Sequence, residues 1–218
     1  MSDGAVTPRF IVFEGIEGAG KTTQVRLLSA WLDAQGVEHV TAREPGGTAV
    51  GEGIRALLLE QRELDVPAET ELLLMLAARA AFVRDVVRPA LDAGKCVIAD
   101  RFALSTFAYQ GFGRGLPLED VRALNAFATG GLEPDLYVVL DVPAAEGAAR
   151  QRAEGAELDR IESEGEAFLD RVRQGYCTLA EASPHIELIN ARVEAESLHQ
   201  QICGLLHDTF PEVFKGND

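Results

Sequence analysis

Apolar and polar positions alternate along this chain in blocks that switch between strand and helix spacing. Arg9–Glu14 is an apolar, β-rich run that breaks at Gly15, and Lys21–Gln35 carries Val25, Leu28 and Leu32 at helical spacing up to Gly36. The pattern predicts a second strand over Val37–Arg43, ended by the turn Glu44-Pro45-Gly46-Gly47, then a short helix over Glu52–Glu60. A long Ala/Leu-rich helix follows over Glu69–Ala93, with a bend expected near Pro89 and a stop at Gly94. Lys95–Asp100 reads as a compact strand. Leu104–Gln110 and Leu118–Thr129 read as helices around a glycine-rich loop, GFGRG. Leu136–Val142 is the near-continuous apolar run of a buried parallel strand, and Pro143 suits the first turn of the helix after it. A charged stretch, Arg150–Glu166, interrupts the pattern. A helix to about Glu181, a strand over His185–Asn190 and a helix over Glu194–Asp208 complete the chain.

Strands separated by helices of this length predict βαβ units and a mainly parallel sheet, with ligands at the carboxyl ends of its strands. Gly15, Glu44 and Asp100 fall at three of those predicted ends. At 218 residues, without an evident linker or repeat, the chain is expected to form a single α/β domain over 1–218.

Charge narrows the function classes. A formal net charge of −15 opposes a non-specific nucleic-acid or membrane binder, which needs a basic patch. It leaves room for an anionic substrate, because clustered arginines can reverse the field locally. Cys96, Cys177 and Cys203 are widely spaced and form no CxxC pair, so neither a disulfide framework nor a zinc site is expected. His39, His185, His199 and His207 lack metal spacing, and Trp31 reads as core. The start, MSDGAVTPR, lacks signal-peptide character, and no run of 18 apolar residues occurs. A cytoplasmic protein is the expectation.

The chemistry concentrates in Gly15-Ile16-Glu17-Gly18-Ala19-Gly20-Lys21-Thr22, followed by Thr23. This run satisfies GxxxxGK[ST] between an apolar strand and an amphipathic helix. Its glycines let backbone N–H groups turn onto phosphate oxygens, and the helix adds its positive dipole end. Lys21 would reach the outer phosphates and Thr22 would bind Mg²⁺. A plain strand-to-helix turn is the competing reading. No NKxD-like guanine-reading motif accompanies the loop. Arg55, Arg79 and Arg101 follow or adjoin predicted strand ends while the overall surface is acidic, which points to a small-molecule kinase.

The combination resembles bacterial thymidylate kinase, within the P-loop nucleoside monophosphate kinases, from Phe10 to about Leu206. The resemblance is carried by FEGIEGAGKTT at 13–23, REPGGT at 43–48, GEGIR at 51–55, AAR at 77–79, DRFALSTFAYQGFGRG at 100–115, PDLYVVLDV at 134–142 and ELDRIE at 157–162. It implies a P-loop NTPase-type parallel five-stranded sheet flanked by helices on both faces, a mobile lid, transfer of the γ-phosphoryl of ATP·Mg²⁺ to dTMP, and a homodimer. Arg43 and Glu44 would shape the nucleotide site, and Arg55 and Arg101 would hold the dTMP phosphate. Arg79 and Gln110 would bond the thymine edge, helped by Ser105 and Thr106. Tyr109 would crowd the sugar 2′ position, Asp100 would lie near Mg²⁺, and Glu17 would position the acceptor through its 3′-hydroxyl. Glu14 reads as strand-end scaffolding.

Two positions depart from the family. Met75 stands where a Phe commonly stacks on thymine, and helix core is an equal reading for it. The lid-like stretch 150–162 has Glu154 where a relative shows Arg, which leaves Arg150, Arg152 or Arg160 to meet the transferred phosphate; Arg152 is favoured. Asn190-Ala191-Arg192 is a candidate wall for adenine, with a surface turn as the alternative. The competing functions are another (deoxy)nucleotide kinase and an inactive P-loop nucleotide-binding regulator.

Overall fold

The computed structural model describes residues 7–61, 63–153, 155 and 159–214. Five strands form one parallel sheet: β1 (Phe10–Glu14), β2 (His39–Arg43), β3 (Cys96–Asp100), β4 (Leu136–Asp141) and β5 (Ile186–Asn190). Their order is β2-β3-β1-β4-β5, and every pairing is parallel. β1, β3 and β4 are the central strands and the most apolar, and Phe10–Phe13 and Val97–Ala99 are essentially fully buried, as strands covered on both faces must be.

The chain leaves β1 leftward to reach β2 and leaves β3 rightward, across β1, to reach β4. Right-handed crossovers therefore send the two connections to opposite faces. α1 (Lys21–Gln35) shares its face with α9 (Ala195–Thr209), while α8 (Glu166–Glu181) packs on the other face beside the helical segment around residue 110. The crevice at the carboxyl end of β1 is the switch point of the sheet. No described helix is long and apolar enough to cross a membrane.

The strands agree with their sequence bounds to within one or two residues, and three helices differ instructively. The helix expected from Glu52 begins earlier, as α2 (Ala49–Arg55), because the Thr48 hydroxyl accepts the Gly51 N–H at 2.9 Å and caps it. It runs on through wide, π-type turns over Ala56–Glu60. The helix expected over 69–93 begins as α3 (Ala68–Phe82), widens over Val83–Val87, and ends as α4 (Arg88–Asp92). Its irregularity lies before Pro89 rather than at it: proline brings no N–H to the ladder, and the preceding turn spreads.

The third difference concerns GFGRG, expected as a loop. α5 (Ala103–Thr106) instead continues in wide turns from Phe107 to Gly113. Its glycines serve packing. A Cβ on Gly113 would lie 2.8 Å from the Phe168 ring, and one on Gly175 of α8 would lie 2.7 Å from Phe112. α6 (Leu118–Thr129) precedes the charged stretch and α7 (Ala144–Ala153) runs into it; Glu154, Ala156, Glu157 and Leu158 lie outside the described residues.

Candidate active site

The phosphate-binding loop leaves β1 at Gly15 and enters α1 at Lys21. Gly15 has φ +133° and Gly18 φ +72°, and a Cβ on either would fall within 2.5 Å of the Leu140 or Gly147 carbonyl oxygen. No side chain fits at these two positions, so the glycines are fixed by both torsion and space. Gly20 supplies no side-chain cap to α1. The N–H groups of its first turn are left for an anion. Lys21, 4% exposed, folds back over the loop and donates to the Gly15 and Ile16 carbonyls at 3.1 and 2.9 Å. Within the loop Ile16 and Ala19 are buried, and Thr23 after it is exposed.

Asp100 and Arg101 arrive from the neighbouring β3. The Thr22 hydroxyl donates to Asp100 Oδ2 at 2.8 Å. A hydroxyl and a carboxylate oxygen side by side are hard donors of the kind Mg²⁺ takes alongside phosphate oxygens and water. Arg101 occupies φ +73°, the one non-glycine residue with positive φ among those described. Its guanidinium donates to Ser105 Oγ at 2.9 Å, to the hydroxyls of Tyr176 and Tyr109 at 3.3 and 3.2 Å, and to the Glu17 carboxylate. It also lies over the Tyr109 ring, 5.1 Å from the centroid.

Glu17 is shared with Lys21, whose Nζ is 3.5 Å away. Burial alone would raise its carboxyl, but Arg101 and Lys21 outweigh burial and hold it at about 2. Burial and the Arg101 charge push Lys21 below the ordinary lysine range, against the pull of Glu17, Asp100 and Glu14. Glu14 is fully buried and is raised by that burial, although it accepts the Phe102 and Ser105 N–H groups at 2.9 and 3.0 Å and the Tyr176 hydroxyl at 2.9 Å. It braces the β3 turn, as the sequence suggested.

A cavity of about 420 Å³ opens from Lys21 and Thr22. It is lined by Glu17, Arg43, Glu44, Arg55, Met75, Arg79, Asp100, Arg101, Ser105, Thr106, Tyr109 and Gln110, so every acceptor-side candidate reaches one space. Five cationic side chains face four carboxylates there, against a chain of net charge −15. Arg55 donates to the Pro45 carbonyl at 3.1 Å, and Arg43 pairs with Glu52 at 3.3 Å on the exposed rim. Arg79 is held from three sides, by Glu44 at 2.8 Å, Asn125 at 2.9 Å and the Phe102 carbonyl at 3.0 Å. Met75 is half-buried; it lines the cavity and packs on the core.

A second cavity, about 280 Å³, lies beyond the loop between Gly20, Thr23, Arg150, Ala191 and Leu198. Arg150 donates to the Gly18 carbonyl at 3.4 Å and to the Ala191 carbonyl at 3.0 Å. Arg192 turns to Glu146 at 2.7 Å. Arg152 is exposed and lines neither cavity, and Arg160 is tied to Glu71 at 2.5 Å.

Residues of this cavity and its supports that were not singled out from the sequence include Glu71, Asn125, Asp159 and Tyr176. Glu71 had a signal, since 71, 75 and 79 share one helix face at i+4 spacing with Met75 and Arg79. Asp159 lies within the ELDRIE motif, while Asn125 and Tyr176 carried no signal.

A parallel five-stranded sheet with this loop at its switch point defines a P-loop nucleotide-binding protein. Residues 13–202 match the thymidylate kinase family model. The chain is 51% identical to the thymidylate kinase of Desulforudis audaxviator, over 91% of this chain and 92% of that one, and 48% identical to that of Chlorobium luteolum, over 93% and 98%. The crystal structure of thymidylate kinase from Ehrlichia chaffeensis superposes with a TM-score of 0.74 at 33% identity, over 91% of this chain and 98% of that one. The chain belongs to the thymidylate kinase family.

Glu44 gives a pH signature. Burial, with the Glu14 charge adding, pushes its carboxyl from an ordinary 4.5 to about 7, which Arg79 only partly offsets. One carboxylate oxygen, Oε1, has no hydrogen-bond partner among the described residues. A carboxyl raised on folding binds its proton more tightly in the native state, so stability falls as pH rises from 4.5 through about 7. Glu44→Gln does not titrate. Relative to wild type its unfolding free energy, read by urea titration from pH 5 to 8, should therefore gain through that window and level off above it. A difference constant with pH contradicts this assignment.

Proposed function

We propose that this chain transfers the γ-phosphoryl group of ATP to dTMP, giving ADP and dTDP. The observation that carries this reading is the cavity joining the phosphate loop at Lys21 to Arg79 and Gln110, with Arg101 between them. The acceptor phosphate is charged near −2 at neutral pH, so its oxygen is already nucleophilic. It attacks the γ-phosphorus in line as the bond to the ADP oxygen breaks, and no strong base is needed. The task is to align and neutralise two polyanions.

Lys21 and the first turn of α1 hold the outer phosphates of ATP. Thr22 and Asp100 would hold Mg²⁺, which would supply charge neutralisation beside the phosphates. Arg101 and Arg55 bind the dTMP phosphate, which replaces Glu17 as the partner of Arg101. The released Glu17 carboxylate accepts the 3′-hydroxyl. Arg79, Gln110, Ser105 and Thr106 read the base, Met75 lies on it, Tyr109 crowds the 2′ position, and Arg43 and Glu44 shape the site. Arg150 clamps the donor side, where Ala191 walls the adenine. Arg152 is exposed, so its guanidinium is available to swing onto the transferred phosphoryl as the lid closes. The cytoplasm is the compartment, in keeping with three cysteines that form no disulfide; cell fractionation checks it.

Coupled ADP-release rates with dTMP, dUMP, CMP and AMP test the reading. The highest kcat/KM should fall to dTMP. dUMP should follow roughly 10–200-fold lower, since a single methyl in an apolar pocket is worth about 1–3 kcal/mol. A preference for CMP or AMP points to another nucleotide kinase, and ATP binding with no transfer to any acceptor points to the inactive regulator.

Single variants assign the roles. Arg152→Ala should lower kcat with little change in KM for ATP, while Arg150→Ala should raise that KM. Glu17→Gln should impair kcat or the KM for dTMP, and Met75→Phe should lower that KM. Wild-type constants in any of these remove the corresponding role.

We also infer a homodimer through α3 and α6. These helices pack together and leave Leu73, Leu124 and Phe127 exposed, Phe127 at 88%. Phe127→Glu should shift the sedimentation of a dimer to that of a monomer; an unchanged species places the interface elsewhere.

A further inference from the structure

We propose that Glu71 is a positioning residue that fixes which end of the Gln110 amide faces the acceptor base. It thereby selects a base carrying a ring N–H over one carrying a lone pair at that point. The inference rests on the reading of the acceptor site above and deepens it.

Glu71 sits on α3, wholly buried, on the helix face that also carries Met75 and Arg79. Its Oε1 accepts the Gln110 Nε2–H at 2.9 Å and the Arg114 Nε–H at 3.2 Å. Its Oε2 accepts Arg114 Nη2 at 3.1 Å and Arg160 Nη2 at 2.5 Å. Arg160 is anchored in turn on the Leu58 carbonyl at 2.8 Å. Burial pushes this carboxyl up, but the bonds from Arg114, Gln110 and Arg160 prevail and hold it below the usual carboxylate range. It is therefore an acceptor only.

An amide beside an acceptor-only group has one tolerable orientation. Turned over, the Gln110 carbonyl oxygen would meet a carboxylate, and a buried donor-acceptor match would become a repulsion. The nitrogen end is thus committed to Glu71, and the oxygen end is the one Gln110 offers away from it, in the cavity it shares with Arg79. A 4-oxo pyrimidine presents an N3–H donor beside its O4 acceptor. It suits the Gln110 oxygen and an Arg79 N–H respectively. Cytosine presents a lone pair and an amino group at the same two points, and is mismatched at both.

Replacing Glu71 by Gln should undo this choice. The Nη2 groups of Arg114 and Arg160 are two obligate donors on one oxygen, against the single Arg114 Nε–H on the other, so the new amide keeps its oxygen where the two Nη2 groups meet. Its NH₂ then faces Gln110, which turns over and presents a donor to the base.

The experiment compares kcat/KM for dTMP and dCMP in wild type, E71Q and E71D, with ATP affinity by calorimetry as the check on folding. E71Q should narrow the dTMP/dCMP ratio by about tenfold or more, because a polar group built for one partner rejects its opposite strongly. E71D, still an acceptor only, should lose activity toward both acceptors and keep the ratio. A purely supporting role would lower both acceptors together in E71Q and leave the ratio at its wild-type value, which overturns the proposal. A wild-type chain that does not prefer dTMP to dCMP rejects the acceptor-site reading itself.

Should E71Q fail to bind ATP, wild type decides. The Gln110 side-chain amide resonances, identified by their loss in Q110M, should include a proton shifted downfield and protected from exchange, with or without dTMP. An ordinary shift with free exchange also overturns the proposal.

Discussion

Lys21, buried, and Arg101, half-buried, are two cations facing one crevice, and their repulsion is the constraint around which the rest of the site is arranged. Two like charges facing one water-poor crevice each oppose the charging of the other, and Arg101 helps hold Lys21 below the ordinary lysine range. Glu17 touches both cations, Asp100 lies beside Lys21, and Glu14 lies 4.0 Å from Arg101. Glu17, a carboxylate inside a loop built for anions, is thus the counter-charge shared by both cations.

The backbone carries part of the same burden. Arg101 adopts a left-handed φ that costs a residue with a Cβ on the order of 1 kcal/mol. The turn is held there because the Arg101 N–H donates to the Phe13 carbonyl at 2.9 Å while Glu14 takes the next available N–H groups, those of Phe102 and Ser105. One buried acid at the end of β1 therefore braces the strand end beside it. The same strand end begins the phosphate loop, so the donor and acceptor halves of the site share a rigid origin at the switch point of the sheet.

Much of this could be read from the residues alone, for reasons that differ from place to place. The loop is legible because its glycines are needed at fixed spacing, and central strands are legible because burial on both faces leaves only apolar residues. Arg79 and Gln110 came from resemblance, not from pattern. The wide turns at 83–87 and 107–113 were not legible: the ladder slips by one residue in response to Pro89 and to glycines that admit Phe168 and Phe112, and those partners are distant in sequence. Tyr176 reaches Glu14 across 162 positions, and Asn125 reaches Arg79 across 46, which no local spacing encodes. Among the lid arginines the difference is again one of partners. Arg150 and Arg160 have contacts across the fold, and these separate them from Arg152 where the charge pattern could not.

The acids of the acceptor cavity share a logic that follows from the reaction. An acceptor phosphate that is already ionised asks nothing of a general base, so carboxylates are free to serve as fixed acceptors that aim other groups. Glu17 aims Arg101, Glu44 together with Asn125 aims Arg79, and Glu71 aims Gln110. Each acts on a side chain that would otherwise have several rotamers or two amide faces, and each is wholly or partly removed from water, where a donor-acceptor mismatch is costly. Specificity in such a site comes less from contacts added to the right ligand than from donors and acceptors whose directions were settled before it entered.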